Sequence, residues 1–107
     1  MPKSVPAVNQ NSSATLTIVP KDQSGNPVVP ASMSYSITDF DSRTTVRVST
    51  PLVPSVSVAI PLLPADTVIL NPGKLVEFRL VLVVANYNAS DVFEDVIKVP
   101  INNLAYA

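Results

Sequence analysis

The chain has 107 residues, of which 47% are apolar and 14% charged, with a formal net charge of −1. That length suits one domain with one core, and the apolar share excludes disorder along the whole chain. Cys, His and Trp are absent and Gly occurs twice, which excludes disulfides, Cys- or His-built metal sites, His-containing triads and Gly-rich phosphate loops.

Other absences narrow the partners. No basic cluster steers toward nucleic acid. No apolar run approaches the roughly 18–20 residues of a membrane-spanning helix, and residues 1–7 lack the continuous apolar segment of a secretory signal. Neither a nucleic acid nor a membrane is therefore an expected partner. Lack of Cys in so small a domain leans toward a reducing compartment or a viral particle. Low charge leaves Ser, Thr, Asn, Pro and aliphatic residues to cover much of the surface, a composition suited to a protein seated against other subunits.

Residues 1–13 are polar, aperiodic and carry two prolines. They read as a flexible arm, either free or ordered on a neighbouring subunit through an apolar stretch that includes Val5 and Val8. Residues 14–19 alternate Thr with Leu16 and Ile18, the pattern of a half-buried strand. A turn follows at 20–27, with Gly25 and Asn26 at its tip. Residues 33–40 alternate again, with Met33, Tyr35 and Ile37 on one side. Residues 44–50 place Val46 and Val48 inward and Arg47 outward, and the short polar link between these two segments predicts a hairpin.

Residues 55–60 read as a strand with Val56, Val58 and Ile60 inward. Residues 67–70 read as a short strand, followed by a turn in which Gly73 is the expected positive-φ residue. The longest element spans 74–85. Its valines argue against a helix, and at a spacing of two Val76, Phe78, Leu80, Leu82 and Val84 share one face. Because Glu77 and Arg79 lie on the other face, we expect the first face to be the core face, with Val81 and Val83 outward. The last strand spans 92–101, with Phe93, Ile97, Val99 and Ile101 inward and Val92 and Val96 outward. A bulge is expected near Asp95, and 102–107 read as a tail.

Seven short strands separated by turns, with eleven prolines leaving little room for helices, predict an all-β, seven-stranded antiparallel sandwich of the immunoglobulin or fibronectin type III kind over 14–101. Candidate chemistry is sparse. Asp39 and Asp41 flank one turn, while Asp91, Glu94 and Asp95 cluster near another. Brought to the same end with Asn86 and Asn88, they could bind calcium, but their spacing matches no calcium loop and turn solvation is the simpler role. Without His, a serine nucleophile would need a lysine partner, and no Lys carries a motif. No enzyme activity and no cofactor or metal is expected. The strongest signal is apolar residues on the expected outer face: Val81, Val83, Val92 and Val96, joined by Val5 and Val8 of the arm, are the candidate interface.

Residues 14–19, then Asp22-Gln-Ser-Gly-Asn-Pro-Val28, then Tyr35-Ser-Ile-Thr-Asp39, resemble the first hairpin of the small Ig-like accessory proteins of tailed bacteriophage virions. The Met start and lack of a tag suggest a complete small gene product, as those proteins are. The resemblance is one of pattern over 14–101. It implies a virion location and a non-enzymatic structural role, foremost a capsid decoration or cement protein on the major capsid protein lattice. A neck or tail accessory protein bound to neck or tail subunits is the alternative. It implies assembly in the host cytoplasm, as a homo-oligomer or in many copies on a lattice. A carbohydrate- or host-surface-binding module is a further alternative, for which Tyr87 and Tyr106 are the available aromatics.

Overall fold

The computed structural model describes the backbone of residues 3–104 and the side chains of residues 5–104. The chain is all-β, and the described residues contain no α-helix. Its strands are β1 (Lys3–Ser4), β2 (Val8–Asn9), β3 (Ala14–Ile18), β4 (Ser32–Asp39), β5 (Thr45–Leu52), β6 (Val58–Leu62), β7 (Val76–Asn88) and β8 (Asp91–Asn102). A larger mixed sheet has the order β1-β8-β7-β4-β5, with β2 also on β8, and a second sheet pairs β3 with β6.

The core lies between the sheets. Leu16 and Ile18 of β3 and Val58, Ile60 and Leu62 of β6 meet Met33, Tyr35 and Ile37 of β4, Val81, Val83 and Ala85 of β7, and Ile97, Val99 and Ile101 of β8. In β3, β4 and β8 the buried residues follow the expected alternation. The antiparallel register confirms a shared face, since Tyr35 lies opposite Val83 and Val81 opposite Ile97.

Several expectations are corrected. The arm at 3–13 is seated on its own domain: Lys3 and Ser4 pair in parallel with Ile97 and Lys98, and Val8 and Asn9 with Ile101 and Asn102. Val5 and Val8 pack against the core, and the arm thereby covers part of the β8 edge, which would otherwise be open for pairing. The expected strand at 67–70 is absent. A single 3-10 turn at Pro64–Thr67 takes its place, with proline in its first turn, where a missing N–H costs nothing. Side-chain bonds hold this turn. Asp66 accepts from the Leu63 amide at 2.8 Å, and Thr67 Oγ1 donates to the Ser12 carbonyl at 2.8 Å.

In β5 Val46 packs against the core as expected, but two register irregularities break the alternation after it. Arg47 turns in to reach Asp66 at 2.9 Å, while Val48 is 72% exposed. The left-handed glycine is Gly25, at φ +83°, and Gly73 has no positive φ. In the hairpin turn Arg43 takes that conformation, at φ +61°. Pairing across Asp95 is regular, and the irregularity on this hairpin lies between Asn86 and Asn88.

The largest correction concerns β7. Glu77, Arg79, Val81, Val83 and Ala85 are buried, whereas Val76, Phe78, Leu80, Leu82 and Val84 face outward. The charges go inward because other parts of the chain need them. Arg79 donates to Asp39 at 2.7 Å, to Glu77 at 2.9 Å and to the Val68 carbonyl. Glu77 accepts the Leu70 and Asn71 amides. These bonds tether the loop between the 3-10 turn and β7, whose backbone amides have no ladder to join.

Candidate protein-docking face

β7 and β8 present a continuous outer face on the larger sheet. Along β7 it carries Val76, Phe78, Leu80, Leu82 and Val84. Along β8 it carries Val92, Glu94, Val96, Lys98 and Pro100, each opposite a β7 partner such as Leu82 for Val96 and Leu80 for Lys98. The neighbouring positions on β4 are small and polar: Ser34 opposite Val84, Ser36 opposite Leu82 and Thr38 opposite Leu80. Leu82 is 36% exposed and Val92 49% exposed, while Val76, Phe78, Leu80, Val84 and Val96 are half-buried by their sheet neighbours. The second sheet packs on the opposite, inner face.

One end of this face is aromatic. Phe40, just after β4, meets Phe78 edge to face with ring centroids 6.2 Å apart. The Lys98 ammonium sits over both rings, 4.5 Å and 4.4 Å from their centroids, and the Arg43 guanidinium lies 5.8 Å from the Phe40 ring. The ring quadrupoles hold these cations by their faces, so the end of the apolar row is capped by positive charge.

The expected interface residues divide into three groups. Val81 and Val83 have no exposed surface and are core, which corrects their assignment to an interface. Val92 and Val96 lie on the outer face, beside Leu82 and Val84. Val5 and Val8 line an apolar cavity of about 310 Å³ between the arm and β3, with Leu16 and Ile97 on its far wall. An outer apolar face on β7 and β8 thus exists, made by the other set of β7 residues. The polar Glu77 and Arg79 point the sequence pattern of β7 the other way, which puts Val76, Phe78, Leu80, Leu82 and Val84 on the expected core face.

The carboxylates do not converge. Asp39 lies opposite Arg79 near the start of β7, and Asp91 opposite Asn88 at its end, so the two turns occupy opposite ends of the sheet. Asp39 accepts both the amide and the hydroxyl of Ser42, at 3.0 Å and 2.7 Å. Burial alone would push its carboxyl up, but these bonds, with Arg79 and Lys74 nearby, hold it below its ordinary value. Asp91 accepts the Gln23 amide at 3.0 Å, and Asp95 accepts the next amide along its own strand. Among the described residues, no group of three or more acidic side chains is placed to hold a metal ion.

Arg47 is raised above its ordinary value by its bond to Asp66. Burial, with Asp22 and Asp91 nearby, pushes the Tyr87 phenol up, and its hydroxyl donates to the Val28 carbonyl at 2.9 Å. The ring therefore pins a loop, and Tyr106 lies outside the described residues. No protein-family model, curated protein or solved structure matches this chain.

Proposed function

We propose that this chain is a non-catalytic structural protein that docks on other protein subunits through the outer face of its larger sheet. The observation that carries this reading is the apolar row Phe78, Leu80, Leu82 and Val84, flanked by Val96 and left without a second layer among the described residues. An apolar sheet face that stays partly in water on a chain with so little charge is favoured when a partner covers it.

The fold reading that accompanies it is an immunoglobulin-like sandwich. Its support is the strand order. β8-β7-β4-β5 follows the G-F-C-C′ order of a variable-type domain, and β3-β6 follows the B-E pair. Counted as one split first strand, β1 and β2 bring the total to seven, and no strand stands in the D position among the described residues. With the sequence resemblance to phage accessory proteins, this favours a virion component. Capsid decoration comes first, and a neck or tail position is the alternative.

The test is copurification with native particles, followed by counting copies per particle. A copy number that follows the capsid lattice supports decoration, and one that matches a single ring supports the neck or tail. Leu82→Glu, on the outer face, is expected to keep the fold and lose particle association. Absence of the wild-type chain from particles, or unchanged association of Leu82→Glu, refutes the reading.

A further inference from the structure

The outward residues of β8 form a pattern that is complementary to its own reverse. In order they are Val92, Glu94, Val96, Lys98 and Pro100: apolar, acidic, apolar, basic, apolar. The outward residues of β7 nearest its centre are Leu80, Leu82 and Val84, with Leu82 directly opposite Val96. Reversing the strand direction about the Leu82–Val96 row exchanges Glu94 with Lys98, Val92 with Pro100, and Leu80 with Val84. Leu82 and Val96 map onto themselves.

We propose that the partner on this face is a second copy of the chain, docked face to face about a two-fold axis that lies in the interface along the Val96–Leu82 row. This rests on the reading of the outer face as a docking face and names its occupant. An isologous interface must be complementary to itself. Here each Glu94 of one copy meets Lys98 of the other, twice, on either side of an apolar centre. Both charges are available for it: among the described residues, Lys98 has no carboxylate and Glu94 no cation within ion-pair distance. Lys98 is held on the face by the Phe40 and Phe78 rings, so little side-chain freedom remains to be lost on pairing. The serines and threonine of β4 continue the surface with small side chains that let a second sheet approach.

The size is consistent with a reversible dimer. Three strands about 4.8 Å apart, each with five outward positions about 6.8 Å apart, cover roughly 500 Å² in projection. A stable interface of standard size buries about 800 Å² per partner, so association is expected to depend on concentration.

Sedimentation equilibrium of the full chain from about 1 μM to about 1 mM tests this. The wild-type chain is expected to dimerise reversibly. Glu94→Lys places two pairs of cations face to face, and Lys98→Glu two pairs of carboxylates. Each is expected to raise the dissociation constant at least about tenfold. The double variant Glu94→Lys/Lys98→Glu swaps the pairs and is expected to bind more tightly than either single variant. Glu94 is exposed, so its substitution leaves the core untouched. A wild-type chain that stays monomeric throughout, or a double variant no tighter than the singles, overturns the proposal. A monomeric chain whose particle association is still lost with Leu82→Glu refutes the second copy alone and leaves the docking face standing. A chain that dimerises as described but never copurifies with particles refutes the virion role alone.

Discussion

Two adjacent residues of β7 give the sharpest test of the facing. Val83 has no exposed surface and lies between Tyr35 on β4 and Asp95 on β8. Leu82, one residue earlier, is 36% exposed between Ser36 and Val96. Val83→Asp removes a buried side chain worth about 1.5–3 kcal/mol. It also places a carboxylate in the core with no cation, beside Asp95, at a cost of several kcal/mol more. The sum, about 5 kcal/mol or more, rivals the whole stability of a domain this size, which is about 5–15 kcal/mol. Leu82→Asp loses only part of a half-exposed side chain and some strand preference, about 1–2 kcal/mol. Urea denaturation followed by far-ultraviolet circular dichroism measures both. We expect Val83→Asp to be unfolded or nearly so in water and Leu82→Asp to unfold cooperatively at a modestly lower midpoint. A Val83→Asp midpoint at or above that of Leu82→Asp refutes the inward placement of Val81 and Val83.

The other predictions concern the buried charges and the turns. Arg79→Ala leaves Asp39 and Glu77 buried without their shared cation and is expected to cost about 3–5 kcal/mol by urea denaturation; a loss under about 1 kcal/mol refutes the network. Asp39 is held below its ordinary value of 3.8, so the unfolded chain binds the extra proton in acid. The stability it contributes is therefore full above that ordinary value and is lost as pH falls through the lower folded value. Asp39→Asn is expected to flatten the fall in stability between about pH 5 and pH 2, and an unchanged acid limb refutes this. Gly25→Ala is expected to cost about 1–2 kcal/mol from its positive φ alone, since an added Cβ meets nothing within 4 Å. Gly73→Ala is expected to cost less, and the reverse order refutes the turn assignment.

Much of the fold was legible in residue alternation. Leu16 with Ile18, and Met33 with Tyr35 and Ile37, are apolar on one face and polar on the other, while Ile97, Val99 and Ile101 share a face opposite Glu94 and Lys98; all are buried as that pattern implies. The 67–70 segment misled because Val68, Ile69 and Leu70 have the look of a strand. What decides their conformation is β7, where Arg79 donates to the Val68 carbonyl and Glu77 accepts the Leu70 amide, while Asp66 and Thr67 lock the turn before them through Leu63, Arg47 and Ser12. In β5 the alternation fails at the bulges, because a distant Asp66 offers Arg47 an inward partner. The sequence leaves the arm either free or ordered on a neighbouring subunit, because two-residue strands carry no pairing signal; its pairing comes from the β8 edge beside it.

The candidate site was half legible for the same kind of reason. Val92 and Val96 lie outward as expected, because Ile97, Val99 and Ile101 mark the inner face of β8 and Glu94 and Lys98 the outer one. β7 is apolar on both faces from residue 80 onward, so its own pattern separates two sets of residues without saying which is inside. Composition and alternation are enough to give the all-β class, the sets of residues that share a face, and the exclusion of His- and Cys-based chemistry. That Glu77 and Arg79 turn inward follows from long-range contacts alone. They do so because Asp39 of β4 and the 68–71 loop, through the Val68 carbonyl and the Leu70 and Asn71 amides, bond to them there. That decision sends Val81 and Val83 into the core and leaves Phe78, Leu80, Leu82 and Val84 facing out.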